Sequence, residues 1–200
     1  MDSEAGEHFA FSESVVQFYT RPELRAAVEL LVDDAFVFPP DKDDWGRVET
    51  YYDACLAAQQ TKIELAKDMH RLWISVWKPI PEDWVSVAAK AKDQELSLDP
   101  DIRWDEGYFE RHFRFGNGLT AAIWVSFDDD EVELAFTIKR NNGVLTSALQ
   151  SKKGENLPNW VFKNDAVRLA VDKPYASGLD LIFMQAEAEA AIEFIKSYSW

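Results

Sequence analysis

Apolar residues recur along this chain at two different periods, and the change of period divides it. Leu24, Ala27, Val28, Leu31 and Ala35 return every three or four residues, which places them on one face of a helix ending near Phe36. Thr20-Arg21-Pro22-Glu23 reads as a capping box at its start, and Pro39-Pro40 as its stop. A second helical pattern (Val48, Tyr52, Cys55, Gln59, Ala66, Met69, Trp73, Val76) follows Asp43, a good N-cap residue. No Gly or Pro interrupts it between Gly46 and Pro79. It predicts one element of roughly 30 residues, about 45 Å long. Pro81-Glu82-Asp83 then predicts a short third helix ending near Lys92.

From about Gly107 the period falls to two. Phe109, Phe113 and Phe115 alternate with Tyr108, Glu110, His112 and Arg114. Leu119 to Phe127 and Val132 to Ile138 alternate in the same way, separated by Gly116-Asn117-Gly118 and Asp128-Asp129-Asp130-Glu131. The pattern predicts a three-stranded antiparallel meander, with a fourth strand near Ala166–Val171, preceded by Trp160-Val161-Phe162. A closing helix is expected over 180–198, with Leu181, Met184, Ala188, Ile192 and Ile195 on one face. Helices, then a meander, then a helix packed on the sheet define a two-layer α+β fold. The chain reads as a single domain: a tail over 1–8, a mainly helical part over 9–100, and the sheet with its helix over 101–200.

Register makes the sheet specific. If Phe115 faces Leu119, then Arg114 pairs with Thr120, His112 with Ala122 and Glu110 with Trp124. If Phe127 faces Val132, then Trp124 pairs with Ala135 and Ala122 with Thr137. One face of the sheet is then apolar. The other carries Tyr108, Glu110, His112, Arg114, Trp124 and Lys139 around small residues, a mixed face that takes either a thin amphipathic cover or a ligand.

Charge changes the picture. The 200 residues hold 36 acidic and 21 basic side chains, a net charge of −15. Residues 1–53 carry 13 of the acids against 4 basic residues. A field of that sign repels nucleic-acid phosphates and anionic membrane and attracts basic surfaces. No run of about 18 apolar residues suggests a membrane span, and no basic leader precedes an apolar stretch, so the cytoplasm is the expected compartment.

Motifs add little chemistry. Gly116-Asn117-Gly118-Leu119-Thr120-Ala121 matches a dinucleotide fingerprint, but a strand follows it where that chemistry needs a helix N-terminus, so it reads as a hairpin turn. The four acids at 128–131 lack the spacing and glycine of a calcium loop. His8, His70 and His112 have no metal-ligand spacing, and no metal or other cofactor is expected. The single cysteine, Cys55, excludes an intrachain disulfide and reads as an inert thiol. Eight tryptophans serve mostly as core, with Trp84 and Trp104 the better interface candidates.

The leading expectation is a non-catalytic acidic binding protein. It would dock on a basic protein, a nuclease or other nucleic-acid-binding protein, and inhibit it by occupying sites that otherwise meet phosphates, as immunity, anti-restriction and anti-CRISPR inhibitors do. Its contact residues are expected to be Glu29, Asp33, Asp34, Asp41, Asp43, Asp44, Glu49 and Asp53. Direct contact with nucleic acid or membrane is not expected. An alternative is a small-ligand or enzymatic domain using the mixed sheet face: His112 as acid/base, Arg114 holding an anion, Trp124 stacking, with Tyr108 and Glu110 beside them. A third is a structural subunit of a larger assembly.

Overall fold

The protein is seen in a computed structural model that describes residues 8–22, 45–87, 107–116, 118–127, 131–141, 143–153, 156–172 and 174–197. The fold is α+β, a helical layer packed on a mostly antiparallel sheet. The elements run β1 (His8–Phe9), α1 (Glu13–Thr20), α2 (Trp45–Val76), β2 (Val85–Val87), β3 (Gly107–Phe115), β4 (Leu119–Phe127), β5 (Glu131–Arg140) and β6 (Gly143–Val144). They continue with α3 (Thr146–Lys153), β7 (Val161–Lys163), β8 (Ala166–Asp172), α4 (Pro174–Ser177), β9 (Leu179–Asp180) and α5 (Leu181–Ser197). Seven strands form the main sheet in the order β2-β3-β4-β5-β8-β7, with β6 folding back on the end of β5.

The meander has the register its turns dictate: Phe115 faces Leu119, His112 faces Ala122, Trp124 faces both Glu110 and Ala135, and Phe127 faces Val132. Gly116 and Gly118 take φ of +35° and +74°, backbone that a side chain resists, and the Leu119 amide donates to the Gly116 carbonyl at 3.0 Å. The fingerprint-like segment is therefore a hairpin turn. A second tight hairpin joins β7 to β8, where Asn164 and Asp165 both have positive φ, as a two-residue primed turn requires.

The apolar stripe of β4 and β5 (Ile123, Val125, Phe127, Val132, Leu134, Phe136, Ile138) is wholly buried. Onto it α2 brings Met69, Leu72, Trp73 and Val76, and α5 brings Met184, Ala188, Ile192, Phe194 and Ile195, in one continuous core. At about 1.5 Å per residue the 32 residues of α2 span roughly 48 Å, so its C-terminal half crosses the sheet. There the Trp73 indole N–H donates to the Ile123 carbonyl at 3.2 Å. The Asp180 carboxylate caps α5 by accepting the Phe183 amide at 3.0 Å.

α1 is a helix whose cap comes from elsewhere. Ser12, its N-cap residue, makes no capping bond of its own. Its amide and hydroxyl instead donate to the two carboxylate oxygens of Asp68 in α2, at 2.6 and 3.0 Å. Arg71 reaches the same carboxylate at 3.1 Å and also donates to the Ala10 carbonyl at 3.0 Å. Burial raises the Asp68 pKa, against the pull of Ser12 and Arg71. The far end of this segment is closed by β1 pairing with β9. Gly178 precedes β9 at φ +76°, and an added Cβ there would stand 2.9 Å from the Phe9 carbonyl oxygen.

Three expectations change. Residues 85–87 are a strand on the sheet edge, not part of a third helix: only a turn follows Pro81, and Val85-Ser86-Val87 pairs with β3. β2 falls within the mainly helical part, and His8 opens β1. Thr20 closes α1, its hydroxyl donating to the Val16 carbonyl at 2.6 Å, and the helix expected after it falls on residues 23–44, outside those described. Trp84 is core: it is 8% exposed and stacks on Phe115 at 4.7 Å between ring centroids. Trp104 and Asp128–Asp130 lie outside the described residues.

Candidate functional site

The pleat sends alternate residues of β3, β4, β5 and β8 to the sheet face opposite the core. Reading the register across the strands gives successive rows. Arg114, Thr120 and Lys139 share the first, and His112, Ala122 and Thr137 the second. Glu110, Trp124, Ala135 and Arg168 form the third, and Ser126, Glu133 and Ala170 the fourth. Tyr108 pairs with Ser126 by backbone.

Small side chains line the middle of this face. Ala122 and Ala135 are inaccessible and Thr137 is 5% exposed, yet neither alanine belongs to the apolar core on the other side. Around them stand the groups the sequence singled out, and two it did not. His112 Nε2 lies 3.1 Å from Oε1 of Glu110, but off the line of a hydrogen bond, so this buried nitrogen has no hydrogen-bond partner. Trp124 is half-buried, with the Arg168 guanidinium carbon 5.7 Å from its ring centroid. Arg168 also donates through Nη1 to Glu133 at 2.5 Å and through Nε to the Lys163 carbonyl at 3.1 Å. Burial raises the Glu133 pKa and Arg168 opposes it. The Thr137 hydroxyl is committed, donating to the Asp165 carbonyl at 2.8 Å.

The structure thus brings together Glu110, His112 and Trp124, sets Arg114 exposed two residues beyond His112 on β3, and adds Glu133 and Arg168. Glu133 and Arg168 were missed because their pairing depends on β5 and β8, whose register no turn in the sequence dictates. The only available signal was alternation: both fall on the polar side of their strands.

The acidic candidates stand differently. Glu29, Asp33, Asp34, Asp41, Asp43 and Asp44 lie outside the described residues, while Glu49 and Asp53 fall on α2 by backbone position. Among the described residues, exposed acids are distributed over α1 (Glu13), the turn before β2 (Glu82, Asp83), the β7–β8 hairpin (Asp165), Asp172, β9 (Asp180) and α5 (Glu189, Glu193).

Among the described residues no group of three or more His, Cys, Asp or Glu side chains is placed to hold a metal ion, and no helix is long and apolar enough to cross a membrane. No protein-family model, curated protein or solved structure matches the chain.

Proposed function

We propose that the protein is a non-catalytic acidic binding protein that docks on, and inhibits, a basic protein that handles nucleic acid. One observation carries this reading: a net charge of −15, with 13 acidic and 4 basic side chains in residues 1–53. Carboxylates at that density speed encounter with a basic partner and occupy sites that otherwise meet phosphates. Among the described residues, Glu64 pairs with Lys67 and Glu193 with Lys196 within one helical turn, and Glu133 with Arg168 across two strands. The test measures association with a basic nuclease as salt rises, for the native chain and for a variant with Asp33, Asp34, Asp43 and Asp44 changed to Asn. The reading expects the on-rate to fall steeply with salt and to fall again in the variant. Association indifferent to both overturns it.

A second reading is favoured by the geometry of the mixed sheet face. There a half-buried indole and a histidine–carboxylate pair, His112 Nε2 and Glu110 Oε1 3.1 Å apart, surround the buried Ala122 and Ala135, while the described helices bury their apolar side chains against the other face. This is the composition of a small-ligand site, apolar ground with a few convergent polar groups. Ligand-dependent change in the His112 ring resonances supports this reading, and their indifference to every ligand tried rejects it.

A further inference from the structure

On its core-facing side β3 runs Phe109, Arg111, Phe113, Phe115, so one arginine interrupts a line of aromatic rings. Its guanidinium carbon lies 5.0 Å from the Trp73 ring centroid and 5.6 Å from that of Phe109. His70, one turn before Trp73 on α2, meets the same Phe109 ring edge to face at 5.1 Å. Trp73 in turn packs edge to face on Phe109 at 5.8 Å and stacks on Phe113 at 6.1 Å. The rings thus fix where the guanidinium sits.

No counter-ion answers this cation. Among the described residues Arg111 makes no hydrogen bond or ion pair, although the chain holds 36 acidic side chains. The carboxylates nearest in sequence are turned away. Glu64 and Asp68 lie on the flank of α2 that meets α1, where they take Ser12, Lys67 and Arg71. Glu110 points to the opposite face of the sheet, beside His112. Burial lowers the His70 pKa, and the charge of Arg111 lowers it further. Arg111 and His70 are each half-buried, so both keep surface open to solvent. β2 stops at Val87 opposite His112, and beside Arg111 no described strand continues the sheet.

We propose that Arg111 and His70 form a binding site for a small oxyanion, carboxylate or phosphate, on the side of the sheet away from His112 and Trp124 and independent of both readings above. Trp73 and Phe109 hold the guanidinium in place, and its N–H groups take two oxygens of the anion. Protonated His70 adds a second positive charge and a further N–H donor. The chain as a whole repels such an anion at a net charge of −15, so capture rests on these local contacts and not on long-range steering.

The test follows the His70 ring resonances of the full chain, identified by their loss in His70→Gln, through pH titrations in chloride, acetate and phosphate at equal ionic strength. Screening alone relieves the repulsion from Arg111 equally in all three salts. A bound anion does more, because its charge favours the imidazolium. Acetate, phosphate or both are expected to raise the His70 pKa by ~0.5 unit or more above its value in chloride, saturating with concentration. Whichever of the two acts names the anion class, and either supports the proposal. Arg111→Met keeps an apolar stem against Trp73 and removes the charge, and urea unfolding verifies its fold. Its His70 pKa should rise in chloride, and the difference between the salts should vanish. Identical titrations of the native chain in all three salts overturn the proposal, and so does an anion effect that survives in Arg111→Met.

Discussion

Ile123 and Trp124 are consecutive in β4 and face opposite ways. Ile123 is fully buried, and its carbonyl takes the indole N–H of Trp73 from α2. Trp124 is only half-buried and has the Arg168 guanidinium at 5.7 Å. The contrast extends across the sheet: Val125, Leu134 and Phe136 on one side, Glu133, Ala135 and Thr137 on the other. The first side is filled by shape, large apolar groups interlocking with two helices. On the second, the central positions are small, with Trp124 and charged side chains around them, and His112 Nε2 has the Glu110 carboxylate 3.1 Å away but no aligned hydrogen bond. Stability therefore resides mainly on one face, and most of the ionisable side chains of the sheet lie on the other.

Substitutions can break that contrast. The largest effect belongs to Phe136→Ala, which removes a wholly buried ring packed on Trp160 and Phe194 at 5.6 and 6.1 Å. It should cost about 3–5 kcal/mol in urea unfolding, by lost transfer energy and the cavity left behind. Trp124→Ala on the opposite face should cost less, about 1–2 kcal/mol, despite removing the larger ring, because Trp124 is only half-buried. An equal or greater loss would erase the distinction. His112→Phe should change stability by less than about 1 kcal/mol, since the ring packing is kept and the lost Nε2 had no hydrogen-bond partner.

A fourth measurement tests sign rather than size. Burial raises the Glu133 pKa above its ordinary value, so its charged form is disfavoured by folding. The stability this group contributes is complete below its unfolded pKa and declines as pH rises through the folded one. Glu133→Gln should therefore gain on the native chain between pH 4 and pH 7, in denaturation curves taken at both values. If the gain runs the other way, Arg168 outweighs burial at this position.

Much of this was legible in the sequence wherever a neighbour decided the structure. Gly116-Asn117-Gly118 and the acidic turn fixed which strand residues face each other, so Glu110, His112 and Trp124 fell into place from alternation and loop length. Where the deciding partner is remote, the signal fails. α1 opens on Ser12 but is capped by Asp68, 56 residues away. Pro81-Glu82-Asp83 has the composition of a helix start, yet the following Val85 and Val87 are drawn to the open edge of β3. Arg168 and Glu133 meet only through β5 and β8, 35 residues apart. Trp84 looked isolated because Phe115, the ring it stacks on, belongs to another strand.

The seam between β1 and β9 also sets a clock for synthesis. Phe9 pairs with Leu179, Phe11 packs on Tyr175 at 5.1 Å, and Tyr19 stacks on the same ring at 4.2 Å. A ribosome adding about 5–20 residues per second needs roughly 10–30 s to travel between these two stretches. For that interval the aromatic residues of the early segment wait without the late ring of Tyr175.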